Sequence, residues 1–346
     1  MMFGRRIQLR MFAVLGLAVV AVLLVGCGPL TFVVGVKPGD QRMTSTVVRD
    51  ADSWTSDRVA VIDVSGLLTN GRASRLLGEG DNPVSTFQES LDAAAKDRRV
   101  KAVILRINSP GGTVTASGLM YSAVQNFRSE TGKPVVMLMM DVAASGGYYL
   151  SCAGDHVIAH PTTVTASIGV ILQTISFKPA LSRIGIETLS YTSGPNKAAG
   201  SPLENVSESH REVLQSMVDD FYKRFVTTVR EARPNIDDAT FARVTDGRAM
   251  SGDAAFEAGL VDELGDMELA FATAKKLANV DDAKLTLYHR PLSYVGSAYA
   301  ASPVGATPAP GQVVIGQINV PDLNALAGGS RGGYYYLWQP QLNGSN

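Results

Sequence analysis

Three long apolar runs, each followed by a stretch of helical character, limit this chain to one fold class before any motif is considered. Val59-Ala60-Val61-Ile62-Asp63-Val64, Val100 to Ile107 and Pro134 to Met140 are rich in β-branched and other apolar residues and show little polar alternation. A strand apolar on both faces must be covered on both, which is the condition of a parallel sheet. Thr86 to Lys96 sets Phe87, Leu91 and Ala94 on one helical face, Ala116 to Phe127 reads as a second helix, and a third starts after Ser145. Strands and helices alternating at this spacing predict βαβ units and an α/β fold. Two shorter strands are expected at Val157-Ile158-Ala159 and Ile168 to Leu172.

The texture then changes. Val206 to Arg230 reads as a long amphipathic helix whose stripe of Val213, Met217, Phe221 and Phe225 is expected to pack into the core. Shorter helices are expected at Phe241 to Val244, Gly252 to Glu257 and Glu268 to Ala278, giving a C-terminal helical region. Residues 37–57, with Pro38, Gly39 and Asp40, read as a tether, and residues 58–290 as one domain. Residues 291–346 are rich in Ala, Ser, Pro and Gly and are expected to form a mobile tail. Within that tail Tyr334-Tyr335-Tyr336-Leu337-Trp338 stands out as a docking or aggregation-prone segment.

Residues 1–36 carry Arg5, Arg6 and Arg10 before an uncharged stretch from Met11 to Val36, the pattern of an export signal. Leu24-Val25-Gly26-Cys27 resembles a bacterial lipobox, in which Cys27 would be lipidated. The alternative is an uncleaved membrane helix, for which about 20 apolar residues suffice. Both readings place the folded part outside the cytoplasm, attached to the membrane of a bacterial cell envelope. A net charge of -1 without any Lys/Arg cluster argues against a nucleic-acid partner. The two cysteines, Cys27 and Cys152, make no disulfide framework, and Cys152 reads as a buried thiol.

Ser145 lies between small residues in Asp141-Val142-Ala143-Ala144-Ser145-Gly146-Gly147-Tyr148-Tyr149, at the junction of an apolar run and a helix, which suits an exposed nucleophile. A serine hydroxyl needs a base to take its proton. His156, His160, His210 and His289 lie outside glycine-rich loops and read as structural, and no Gly-x-Ser-x-Gly surrounds Ser145. Lysine can act as the base when burial lowers its pKa. Lys197, in Ser193-Gly194-Pro195-Asn196-Lys197-Ala198-Ala199-Gly200, has no acidic residue within four positions and could be desolvated. Arg106-Ile107-Asn108-Ser109-Pro110-Gly111-Gly112 ends a strand with two glycines whose N–H groups could hold an anion, and the Gly146 N–H would supply a second donor. No phosphate-binding loop and no metal-ligand spacing occurs, so no cofactor is expected.

Five segments in order resemble the signal peptide peptidase A family. They are Asn108 to Gly112, Ala143 to Tyr149, Pro161 to Val170, Asp246-Gly247-Arg248 and Gly259 to Gly265. The resemblance covers roughly residues 58–290 and implies a Ser-Lys serine protease on a Clp-protease/crotonase-like fold. It implies Ser145 as nucleophile, Lys197 as general base, and Gly112 and Gly146 as oxyanion donors, with Gly111 the fallback for the first. It further implies remnant signal peptides as substrates, and a short, single-repeat form that assembles as a membrane-bound homo-oligomeric ring, an octamer in one form, with dyads completed between subunits. Cys152 departs from the family's usual small residue there. Two other readings compete: a crotonase-like acyl-thioester enzyme, disfavoured by export, and a silent membrane scaffold, which would need neither Ser145 nor Lys197.

Overall fold

The computed structural model describes residues 42–71, 74–75, 78–79, 81–291, 293, 295–300 and 335–337, all within one compact unit. Its first half runs β1 (Thr44–Arg49), β2 (Arg58–Ser65), β3 (Ser74–Arg75), β4 (Gly78–Glu79), α1 (Pro83–Lys96), β5 (Val100–Ser109), β6 (Gly111–Thr113), α2 (Val114–Thr131), β7 (Val135–Ala144), α3 (Gly146–Ser151), β8 (His156–Ala159) and β9 (Val164–Ala166). Then follow α4 (Lys178–Arg183), α5 (Glu208–Ala232), α6 (Asp238–Val244), β10 (Ala249–Ser251), α7 (Gly252–Glu257), β11 (Glu263–Leu264), α8 (Met267–Leu277), β12 (Lys284–His289) and β13 (Tyr335–Leu337).

The main sheet has the order β1-β12-β2-β5-β7-β8-β11. Along this path all pairings are parallel except that of β1 with β12; off it, β9 pairs parallel with β7 and antiparallel with β10. The apolar runs are continuous because both faces are buried. On one side Ile62, Leu105 and Met137 pack with Phe87 and Leu91 of α1 and Met120, Val124 and Phe127 of α2. On the other Val61, Ile104 and Leu138 pack with Met267, Phe271 and Ala274 of α8. The α/β class expected from the sequence is what forms.

Side chains fix the helix starts. Asn82 accepts from Val84 N and Ser85 N ahead of Pro83, and Thr113 accepts from Ala116 N. Such caps contribute about 1 kcal/mol each. Arg106 holds the C-terminal edge of the domain: its guanidinium pairs with Asp63 at 2.5 Å and donates to the carbonyls of Ala298 and Ala300.

Four expectations change. The stretch read as a tether contributes β1, an edge strand of alternating half-exposure. The strand expected at Ile168 to Leu172 sits earlier, at β9, because Ala166 and Ser167 adopt φ of 61° and 52°, which ends extended pairing. The α5 stripe is buried only at its C-terminal end, at Phe225 and Val229, whereas Met217 is exposed. The aromatic segment of the tail contains a strand, β13, paired with β6. Cys27 and the rest of residues 1–36 lie outside the described residues, as does most of 291–346. No described helix is long and apolar enough to cross a membrane.

Candidate active site

Ligands of parallel α/β sheets bind beyond the carboxyl ends of the strands. Two such ends meet here. β5 runs into Gly111 and Gly112, and β7 runs into Ser145 and α3. The register of β5 and β7 shifts between Ile107 and Ser109, so that Ser109 pairs with Ala143 and the two turns stand side by side. β9 pairs with the last residues of β7, and the Ser145 N–H donates to the Ala166 carbonyl at 2.7 Å.

Ser145 has φ 52° and ψ -112°, an arrangement that a non-glycine residue holds at a cost of about 1–3 kcal/mol. The residue is 1% exposed, so the freely exposed nucleophile expected from the sequence is instead buried. Its Oγ is buried and has no hydrogen-bond partner among the described residues. The helix that follows is buried along its length, and Tyr148 Oη donates to the Leu260 carbonyl at 2.8 Å, tying that helix to the sheet's far end.

The glycines around it are needed for contact. A Cβ on Gly146 would lie 2.4 Å from Ser117 Oγ and 3.1 Å from the Gly112 amide nitrogen, so the two amides expected to bind an oxyanion are neighbours. Gly111 has φ +103°, and its N–H donates to Ser109 Oγ at 3.1 Å. That bond takes up the amide considered as the fallback donor.

The lysine expected as base lies elsewhere. Lys197 is exposed, in a coil that makes no hydrogen bond to Ser145 among the described residues. The desolvation a neutral lysine requires is therefore not supplied by this chain's own described residues. Its loop is nonetheless held. His210 Nε2 donates to the Pro195 carbonyl at 2.7 Å, and Ser209 Oγ donates to Asn196 Oδ1 at 2.6 Å. His210, read as merely structural from the sequence, pins the lysine loop to the first turn of α5. Its nearness to Ser209 and to the Ser207 cap was the signal available.

The other histidines are bonded away from the serine: His156 to Glu263, His160 to Thr162 and His289 to Thr46. No group of three or more potential metal ligands occurs among the described residues. Cys152 is buried, and burial pushes its thiol up to about 12, which makes it inert.

Comparison with known proteins shows what the chain as a whole is similar to. Residues 128–281 match the family described as "Peptidase family S49", and residues 58–168 match "Clp protease". The chain is 31% identical over 250 residues to a "Putative signal peptide peptidase SppA" of Enterococcus faecium, covering 72% of each chain. It is 34% identical over 233 residues to "Putative protease slr0021" of Synechocystis sp., covering 67% of this chain and 79% of that one. It is also 34% identical over 225 residues to "Protease 4" of Haemophilus influenzae, of whose length it spans only 35%.

Proposed function

The chain belongs to peptidase family S49, the signal peptide peptidase A proteases, with a Clp-protease-like α/β fold, and from that premise we propose that it is a Ser-Lys endopeptidase of hydrophobic, membrane-proximal peptides. It is a serine-type peptidase by family. The finer reading assigns the nucleophile to Ser145 and the general base to Lys197 of a neighbouring copy. The observation that carries it is the pairing of opposites: a buried serine hydroxyl without a partner, and an exposed lysine on a loop that something else must cover.

In the mechanism, Lys197 takes the Ser145 proton as the hydroxyl attacks a peptide carbonyl. The amides of Gly112 and Gly146 hold the developing oxyanion, each worth about 3–4 kcal/mol in the transition state. Lys197 then protonates the leaving amine, and water releases the acyl group by the reverse route. The segment around Lys197 supports a trans arrangement, because it exposes Phe177, Ile184, Ile186, Leu189 and Tyr191. A second copy that covered those side chains would desolvate the lysine at the same time. We assign the assembly to a homo-oligomeric ring, tethered through residues 1–36 at the outer side of a bacterial membrane, with remnant signal peptides as substrates. Cys27 is the proposed lipidation site.

The test is cleavage of a fluorogenic signal-peptide-like substrate by the full chain in detergent, beside Ser145→Ala and Lys197→Ala. Both variants should lose activity by about 10^4-fold or more at unchanged thermal stability. Full activity in either removes that residue from the mechanism.

A further inference from the structure

Between Ile107 and Ser109 of β5 lies one residue, Asn108, whereas their partners on β7, Met139 and Ala143, are separated by three. β7 therefore bulges at Met140-Asp141-Val142. Its other edge shows the same break: β8 pairs with β7 as far as Met139, and β9 takes over only at Val142. A parallel strand advances about 3.3 Å per residue, so two extra residues set Ser145 back by about 6–7 Å relative to an unbroken strand. Gly112 and Gly146 each lie three residues beyond the matched pair of Ser109 and Ala143. Without the bulge Ser109 would face Asp141, and Gly146 would lie two residues beyond the partner of Gly112. The bulge thus brings the two expected oxyanion donors level.

Side chains hold it from both edges. Toward β5, Asn108 Oδ1 accepts from the Val142 N–H at 3.2 Å, and Asn108 Nδ2 donates to the Asp141 carboxylate at 3.3 Å. Toward β9, the fully buried Thr163 donates from Oγ1 to the Met140 carbonyl at 2.6 Å and accepts from the His160 N–H at 3.1 Å. Thr165 Oγ1 donates to the Ala143 carbonyl at 2.7 Å, where pairing with β5 resumes. The bulge adds little to the core: Met140 and Val142 are half-buried and Asp141 is exposed, while Met139 and Ala143 on either side are fully buried. Extra residues that bury so little, yet are tied down from both edges, serve geometry more than packing. Bulges beside active sites re-aim a side chain in this way. The amide of Asn108 does two jobs from one planar group, accepting from a backbone N–H and donating to a carboxylate.

We propose that Asn108 is a positioning residue of the peptidase, which by holding the bulge at 140–142 keeps Ser145 and the Gly146 amide in register with Gly112. It acts through β7 and not on the substrate. This rests on the Ser145 reading above and adds to it the residue that sets the serine's place.

The test reads kcat, KM and thermal midpoint of the full chain in detergent with a fluorogenic signal-peptide-like substrate, and the rate at which a fluorophosphonate labels Ser145. Asn108→Ala should lower kcat by about 100-fold, the scale of a misplacement of about 1 Å, with KM within about twofold of wild type. Labelling should slow in parallel, because the probe's phosphoryl oxygen needs the same two amides. Asn108→Asp keeps an acceptor for Val142 but sets a second carboxylate against Asp141. It should lower kcat by about tenfold, the size of a coupling between contacting residues. Adding Asp141→Asn, which restores an amide–carboxylate pair with the partners exchanged, should recover most of that loss. The exchanged pair carries the test should Asn108→Ala fail to fold. An unchanged kcat per folded chain in Asn108→Ala, or an Asn108→Asp loss that Asp141→Asn does not repair, overturns the proposal and leaves the peptidase standing. Turnover that survives Ser145→Ala, or a wild-type chain that shows none, overturns the peptidase reading and this assignment with it.

Discussion

Residues 58–168 and residues 169–207 are continuous in the chain, and each carries one half of the proposed dyad. The first segment is strand, helix and core: Ile62 and Leu105 are buried on one face of the sheet and Val59, Ile104 and Val136 on the other, and Ser145 is fixed by its neighbours into an uncommon backbone conformation. The second holds one short helix, α4, with no buried residue, and leaves Leu189 70% and Tyr191 95% exposed. A monomeric soluble chain rarely leaves large apolar side chains so concentrated. The contrast teaches that, on the proposed reading, the single chain finishes the serine's setting and leaves the lysine's unfinished. Removing Lys197 from water requires surface that the described part of the chain lacks, and the exposed apolar residues beside it say where that surface would dock.

The largest expected effect tests this division directly. Ser145→Ala and Lys197→Ala should each abolish activity alone, yet chains carrying one or the other, unfolded together and reassembled, should recover a sizeable fraction of wild-type turnover. In a mixed ring some interfaces bring an intact serine to an intact lysine. If the mixture stays as silent as its components, the dyad is completed within one chain and the contrast between the segments has no catalytic meaning.

The next effect is on stability, and it should split the two segments. Ile104→Ala removes a fully buried side chain between β2 and β7 and should cost about 2–5 kcal/mol, read as a fall in denaturant midpoint. Leu189→Ala removes a comparable side chain from the exposed segment and should cost the isolated chain under about 0.5 kcal/mol. Its effect should appear in sedimentation, as a shift from the assembled toward the monomeric species, with activity falling in parallel. Equal losses of stability at both positions would mean the second segment is packed by its own chain.

How much of this was legible in the sequence follows the same line. Continuous apolar runs declare strands buried on both faces, so β2, β5 and β7 could be read without a structure. Small residues around Ser145 and the paired glycines of 111 and 112 declare close backbone approach, and both turns lie at the sheet's carboxyl edge as that reading requires. β1 was hidden because an edge strand covered on one side alternates weakly and sits among polar residues. The α5 stripe was misread because periodicity says that a helical face must be covered but not by which molecule. β13 was hidden for a different reason. Tyr335 to Leu337 favour a strand, but three such residues beside a glycine-rich stretch name no partner, and their pairing with β6 is a property of that strand's free edge.

The smallest expected effect concerns a hydrogen bond that holds the second segment to α5. His210 lies in the first turn of α5, its own N–H capped by Ser207 Oγ at 3.1 Å, and its Nε2 donates to the Pro195 carbonyl two residues before Lys197. The histidine acts through the loop and is a positioning residue. His210→Ala removes one hydrogen bond worth about 1 kcal/mol, which corresponds to about a fivefold loss if the bond serves to hold Lys197 in register. The loss should fall on kcat with KM unchanged, since the serine turn and the Gly111-Gly112 turn are untouched. His210→Gln, which offers a side-chain N–H to the same carbonyl, should recover most of it. A purely structural role would instead lower thermal stability in the Ala variant and leave kcat per folded chain as it was. Against the roughly 10^4-fold effect of removing Lys197 itself, a fivefold effect at His210 would measure how far the exposed segment is organised before a second copy arrives.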